Sequence, residues 1–195
     1  MKEPLAPEVD VVKQMMSSLP GKLTEEQQRA VKELLIEHQN IFSKGEYDIG
    51  RTPYVEYRID TGAHRPIRQA FQRHPFKYLD AIDKHVEEMT AHGITEPAAS
   101  PWASNVVLVR KDSSLRFCID YRQLNRVTVQ DSSPITLTDN CLNALRGSSW
   151  FSTLDLRAGY YNIPIAESDR DKTAFVTRGG CHRFTVMPFG SCSNV

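Results

Sequence analysis

The sequence predicts an α+β fold, and three observations carry that prediction. Helical apolar spacing comes first, alternating strand-like spacing bounded by polar turns follows from about residue 104, and shorter helical stretches are mixed among those strands. The chain has 195 residues, 40% of them hydrophobic, enough to bury a sizeable core as one domain with an appendage.

The elements follow in order. Val9 to Leu19 reads as a short helix stopped by Pro20-Gly21. Thr24 and Gln27 form a capping box, each side chain able to satisfy an orphan amide of the first turn. Beyond it Val31, Leu34, Leu35, Ile41 and Phe42 share one helical face. Val55, Tyr57 and Ile59 alternate with Glu56, Arg58 and Asp60 as in a half-buried strand. Between Pro75 and Gly93, the stripe Leu79, Ile82, Val86 and Met89 predicts a helix with Gly93 as its C-terminal stop. Asn105–Arg110 and Arg116–Tyr121 predict a hairpin around Lys111-Asp112-Ser113-Ser114. A helix over Asp139–Arg146 ends at Gly147, a strand runs from Trp150 to Leu156, and Thr173–Thr177 with Arg183–Met187 make a second hairpin around Gly179-Gly180.

Composition narrows the function classes. The longest apolar runs, such as Val106-Val107-Leu108-Val109, are far too short to span a membrane, and no charged-then-apolar leader opens the chain, so an intracellular, non-membrane protein is expected. Cys118, Cys141, Cys181 and Cys192 are scattered without a C-x-x-C pair, which argues against a zinc knuckle or disulfide framework. Net charge is zero, so there is no global nucleic-acid footprint. Charge is nevertheless uneven: Ala63–Lys77 holds Arg65, Arg68, Arg73 and Lys77 with no acid, and Arg110, Lys111, Arg116, Arg122 and Arg126 form a second basic cluster interrupted by Asp112 and Asp120. A solvated face and an anionic partner both fit such clusters.

Asp155 carries the chemical question. A carboxylate in a strand between Leu154 and Leu156 meets a large desolvation cost unless it is paired, hydrogen-bonded or bound to a metal. Either Asp155 ends the strand and caps the turn R-A-G-Y, or it helps to hold a divalent ion, which needs a second carboxylate.

Four motifs in order raise the specificity: V-R-K-D-S-S-L-R-F-C-I-D-Y-R-Q-L-N, W-F-S-T-L-D-L-R-A-G-Y-Y-N-I, D-K-T-A-F-V-T-R-G-G and F-T-V-M-P-F-G. Together they resemble the reverse transcriptase of gypsy-like LTR retrotransposon polyproteins, over roughly Asp48 to Gly190. The resemblance implies a right-hand polymerase, incomplete here. Residues 1–47 would be a helical extension or linker, 48–100 a connector and the start of the fingers, and 101–195 the fingers and a partial palm.

It also implies roles. Asp155 matches the first metal-binding, catalytic aspartate of two-metal nucleotidyl transfer with Mg²⁺. Tyr160 matches the aromatic residue that screens the sugar 2′ position, and Arg116 the fingers arginine on the triphosphate. Arg110 and Lys111 include its basic partner, with the choice left open by the loop length. Phe189 and Gly190 match the turn bordering the nucleotide and template base, and Asp120, Arg122 and Asn125 look like a structural or template-side group. The implied partners are an RNA or DNA template-primer and a deoxynucleoside triphosphate.

The family's Y-x-D-D turn does not occur among the 195 residues, and Glu167, Asp169 and Asp171 read as solvated loop charges rather than substitutes. A truncated or decayed copy, inactive by itself, is therefore expected, and a non-catalytic nucleic-acid- or protein-binding remnant is the alternative. A weaker reading takes Asp60-Thr61-Gly62-Ala63 as an aspartic protease loop, but no flap or second apolar-apolar-glycine element accompanies it.

Overall fold

The capping box of the long N-terminal helix forms as the spacing predicts. The Gln27 amide donates to Thr24 Oγ1 at 3.3 Å, and the Thr24 amide donates to Gln27 Oε1 at 2.9 Å. In a computed structural model that describes residues 11–19, 23–111, 114–130, 136–149 and 151–191, with only the backbone of Lys111 and Ser114, the chain divides into two compact units, Met1–Ile49 and Gly50–Val195. Pro20-Gly21, the turn Asp112-Ser113, Trp150 and Cys192 lie outside the described residues.

The first unit holds α1 (Val11–Ser17) and α2 (Glu25–Glu37), followed by a 3₁₀ turn, Gln39–Ile41. The apolar stripe expected on α2 is not buried: Leu34 is 55% and Ile41 73% exposed.

The second unit is built on α3 (Phe76–Ala91) and a five-stranded sheet. Ile82, Val86 and Met89 are the buried stripe of α3. Its end is a Schellman arrangement in which the Ile94 amide donates to Met89 O and the Gly93 amide to Thr90 O, with Gly93 at φ +67°. The sheet comprises β1 (Thr95–Pro97), β2 (Ser104–Lys111), β3 (Ser114–Ile119), β4 (Phe175–Thr177) and β5 (Gly180–Phe184), in spatial order β1-β5-β4-β2-β3. Only the β2–β4 pair is parallel. Phe117 joins the layers: its ring stacks on His85 of α3 at 5.1 Å and meets Phe175 of β4 edge-on at 5.8 Å. Two short helices, α4 (Arg122–Val127) and α5 (Thr138–Ala144), follow β3.

The α3 stop stands where the sequence places it, and both hairpins form with shifted bounds: Lys111 and Ser114 are paired strand residues rather than turn, and the last strand is Gly180–Phe184 instead of Arg183–Met187. Three readings need correction. Phe151–Leu156 is not a strand: it has no ladder partner among the described residues, and Leu154 and Leu156 are 84% and 74% exposed. A strand is a paired state, and apolar alternation supplies only half of it.

Val55–Ile59 shrinks to a single parallel bridge between Tyr57 and Ile165. Tyr57 donates to Pro164 O at 2.7 Å and accepts from the Ala166 amide at 3.0 Å, but the Ile59 amide donates to Asp169 Oδ2 at 3.1 Å, so the ladder ends there.

Lastly, Glu167, Asp169 and Asp171 are not free loop charges. They lie on a 3₁₀ helix, Glu167–Thr173, and each is ion-paired: Asp169 with Lys172, Asp171 with Arg183, and Glu167 with Arg170 and Arg183.

Candidate functional site

The site residues come from four segments of the second unit. The β2–β3 ribbon supplies the arginines. Its register sets Arg116 opposite Val109 and Arg110 opposite Leu115, so strand alternation puts the two arginines on opposite faces of the ribbon. Arg110 is in phase with Val106 and, through its cross-strand neighbours, with Phe117 and Ile119, which lead into the core. Arg116 is in phase with Val109 and Cys118, away from that core. Both guanidinium groups are exposed and meet no carboxylate among the described residues. Lys111 pairs with Ser114 at the end of the ladder.

After β3 the chain turns into α4 through an Asp-Tyr-Arg step. Asp120 accepts two parallel bonds from Arg122, at 2.8 and 2.7 Å, in a bidentate fork. That bonding holds the Asp120 carboxyl below the usual carboxylate range, against an opposing push from partial burial. The Asp120 backbone is fixed as well, its amide donating to Asn105 O and its carbonyl accepting from Gln69 Nε2, each at 2.9 Å. Asp120 and Arg122 are thus engaged with each other. Tyr121, buried between them, donates its hydroxyl to Thr173 O at 2.8 Å, and burial pushes its phenol well above the ordinary value.

One turn along α4, Asn125 donates from Nδ2 to Gly190 O at 2.9 Å. Gly190 has φ +86°, a conformation that side chains rarely adopt, and a Cβ there would lie 3.9 Å from Ile119 O, so conformation rather than space requires the glycine. The adjacent Phe189 is 63% exposed, and its ring meets Tyr160 edge-on, 5.7 Å between centroids at 80°.

Tyr160 rides on a 3₁₀ turn, Gly159–Asn162, entered through Ala158 at φ +45°. The Asn162 amide nitrogen donates to the carbonyls of Arg157, Ala158 and Gly159 at 3.2–3.3 Å and so clamps this turn. Neither Gln69 nor Asn162 stood out in the sequence. A turn asparagine after G-Y-Y was the available signal for the second.

Tyr160, Phe189, Gly190 and Asn125 therefore form a connected set, and no hydrogen bond or ion pair among the described residues joins Asp155 to it. Phe151–Leu156 is exposed throughout, and Asp155 has no hydrogen-bond or ion-pair partner among the described residues. The low-dielectric setting expected for its carboxylate is absent, and so is the cap: the following 3₁₀ turn has no side-chain capping bond. Asp155 is also the sole acid between Asp139 and Glu167 in the sequence. No cluster of three or more His, Cys, Asp or Glu side chains suited to a metal occurs among the described residues. Asp155 with its present neighbours does not hold a divalent ion, because such sites need several oxygen ligands.

The Asp60 carboxylate serves a turn, accepting from the Gly62 amide at 2.8 Å, with Gly62 at φ +52°. No helix among the described residues is long and apolar enough to cross a membrane.

The family model described as Reverse transcriptase (RNA-dependent DNA polymerase) matches residues 109–193. The Pol polyprotein from transposon opus of Drosophila melanogaster is 31% identical over 84% of this chain, and that from transposon gypsy of the same organism is 30% identical over 82%. An RNA-directed DNA polymerase homolog from Oenothera berteroana is 49% identical over 40% of this chain and 54% of its own length. The chain spans only 17% and 16% of the two polyproteins.

The fold resembles that of prototype foamy virus protease-reverse transcriptase, with a TM-score of 0.80 and 23% identity over 98% of this chain and 26% of that one. It also resembles a foamy viral protease-reverse transcriptase in complex with double-stranded DNA, with a TM-score of 0.82 and 21% identity over 98% of this chain and 40% of that one. Motif order, relatives and fold converge on a reverse transcriptase fragment: residues 109–193 match that family, and the chain is similar to the Pol polyproteins of gypsy-like LTR retrotransposons over most of its length.

Proposed function

We propose that residues 48–100 are the connector and start of the fingers, and 101–195 the fingers and partial palm, of an RNA-directed DNA polymerase, in which this chain provides the incoming-nucleotide side of the site. The observation that carries the reading is the Tyr160–Phe189 contact, continued through Gly190 to Asn125. It gathers three separate motifs around one partly exposed aromatic surface, a suitable neighbour for a sugar and a base.

Arg116, exposed and without a carboxylate partner among the described residues, is assigned to the triphosphate, whose oxygens suit a planar guanidinium fork. Tyr160 is assigned to the sugar, and Phe189 with Gly190 to the base. Asp120 and Arg122 are assigned to scaffolding, because each occupies the other. Between the basic candidates at the ribbon tip, the opposite-face placement of Arg110 argues against a shared triphosphate contact with Arg116.

Reverse transcriptases use a divalent metal, and Mg²⁺ is the ion proposed for the whole domain. Asp155 would supply one carboxylate. The described residues do not complete that site, and Y-x-D-D is not among the 195. These residues therefore account for binding template-primer and deoxynucleotide rather than for the chemical step. The same observation favours the second reading, a binding module without catalysis.

Primer extension with Mg²⁺ separates the two readings. The 195 residues alone are expected to extend no primer. A longer polypeptide that adds a Y-x-D-D segment to them is expected to extend, and to lose at least a hundredfold in rate with Asp155→Asn. Extension by the 195 residues alone, or full activity of the Asp155→Asn polypeptide, would sink the assignment.

A further inference from the structure

Tyr160 and Phe189 stand on two separate turns and are 48% and 63% exposed. Rings this open make few packing contacts, so their edge-on placement depends on the backbones beneath them. One of those backbones is strained. Ala158, which leads into the Tyr160 turn, has φ +45°, a left-handed conformation that a residue with a Cβ adopts at a cost and keeps only where its surroundings hold it.

Part of that hold comes from the connector. The Thr52 amide donates to Asn162 O at 2.8 Å, at the end of the Tyr160 turn. A few residues on, Tyr57 is 1% exposed, and its hydroxyl shares a hydrogen bond of 2.6 Å with Ser191 Oγ, next to Gly190. The connector is itself fixed. Arg51 Nη2 donates to the carbonyl of Gly93, the glycine that ends α3, at 2.6 Å. The Tyr57 amide donates to Pro164 O at 2.7 Å, and Tyr57 O accepts from the Ala166 amide at 3.0 Å. The backbone of Tyr57 is thus bonded to the segment that carries Tyr160, and its side chain to the segment that carries Phe189.

Those two segments also pair directly, the Met187 amide donating to Ile163 O at 2.8 Å, but among the described residues that pairing ends short of Phe189. Beyond it the Phe189-Gly190 turn is gripped from two sides, at Gly190 O by Asn125 and at Ser191 Oγ by Tyr57.

We propose that Tyr57 is a positioning residue of the nucleotide pocket: through its hydroxyl the connector sets the Phe189-Gly190 turn against Tyr160, and with it the preference of the pocket for deoxyribose over ribose. The inference rests on the assignment of Tyr160 to the sugar. Tyr57 is buried and acts through Ser191 rather than on the nucleotide. A hydrogen bond constrains both distance and direction. Without this one the Phe189 ring is freer to recede from Tyr160, which loosens the aromatic wall beside the sugar 2′ position and admits a hydroxyl there.

Titration of 2-aminopurine deoxyribonucleoside triphosphate and its ribonucleoside counterpart into the 195-residue protein with Mg²⁺, read by fluorescence, tests the proposal. The readout is the ratio of the two affinities, because a bond that only stabilises the fold shifts the melting temperature and not the ratio. Tyr57→Phe keeps the buried ring and is expected to lower the ratio about fivefold, the weight of one neutral hydrogen bond. Ser191→Ala is expected to lower it as much, and the double variant no further, since both changes remove the same bond. Thr90→Val breaks a comparable hydroxyl pair, Thr90 with Thr95 at 3.0 Å between α3 and β1, and is expected to leave the ratio unchanged.

Equal ratios in the parent protein and Tyr57→Phe, additive losses in the double variant, or an equal fall with Thr90→Val would each overturn the proposal and leave the pocket assignment standing. A folded parent protein that binds neither nucleotide saturably contradicts the pocket assignment, and the proposal falls with it.

Discussion

Two polar side chains, one buried and one half-buried, show how single residues set the terms of this fold. Tyr121, 1% exposed, places its hydroxyl on Thr173 O and so ties the start of α4 to the 3₁₀ helix ahead of β4. Tyr121→Phe keeps the ring and leaves the carbonyl without that donor, which is expected to cost about 1–2 kcal/mol in urea unfolding. An unchanged midpoint contradicts the role given to the bond.

His182 lies against Phe175, with ring centroids 5.8 Å apart, and its Nδ1 is buried without a partner. Burial lowers its pKa from the ordinary 6.5, despite a smaller opposing effect from the Gly180 backbone. The unfolded chain then binds this proton more readily than the folded one. The stability attached to neutral His182 is complete above about pH 6.5 and is lost as pH falls toward the lowered folded value. Melting temperature is expected to drop on going from pH 7.5 to 5.5, and His182→Gln to reduce that drop. A drop of the same size in the variant contradicts the account.

At the scale of elements, Arg183 of β5 is the hub of an ion-pair network. It reaches Glu96 on β1 at 2.7 Å, and Asp171 and Glu167 on the 3₁₀ helix at 2.9 and 3.0 Å, while Arg170 also pairs with Glu167. Arg183→Leu leaves carboxylates facing one another. Because about a fifth of the arginine side chain is exposed, the expected loss is roughly 1–3 kcal/mol, below that of a fully buried pair. A loss under about 0.5 kcal/mol would mean that solvent screens the cluster.

Elements whose signals are local were legible in the sequence. The capping box of α2, the glycine stop of α3 and the polar turn of the β2–β3 hairpin each depend on residues a few positions apart. The failures depend largely on partners distant in sequence. Phe151–Leu156 has strand alternation and no ladder partner among the described residues, and of the pairs made by the acids from Glu167 to Asp171 those to Arg183 need β5 beside them, whereas Glu167–Arg170 and Asp169–Lys172 are local pairs three residues apart. At the site, the family resemblance pointed to Tyr160, Phe189 and Asn125. The interactions that join them, and the clamps made by Gln69 and Asn162, arise only from the folded chain.

Across the whole molecule, neutrality conceals a division of charge. Arg170, Lys172, Arg178 and Arg183 are matched within the sheet, α3 and the 3₁₀ helix, while Arg116 on the ribbon and other exposed arginines, Arg58, Arg68, Arg126 and Arg157 among them, meet no carboxylate among the described residues. Open cations of this kind suit the polyanionic partners proposed above, with affinity set by local patches rather than by net charge.

The most direct test of the central claim is titration of a fluorescent deoxyadenosine triphosphate analogue into the 195-residue protein and its Arg116→Gln and Tyr160→Ala variants, with Mg²⁺ present. The account predicts saturable binding by the parent protein, about tenfold weaker with Arg116→Gln because a charge-assisted bond to phosphate is removed, and reduced selectivity for deoxyribose over ribose with Tyr160→Ala. No saturable binding by the folded parent protein, or identical binding by all three, would contradict it.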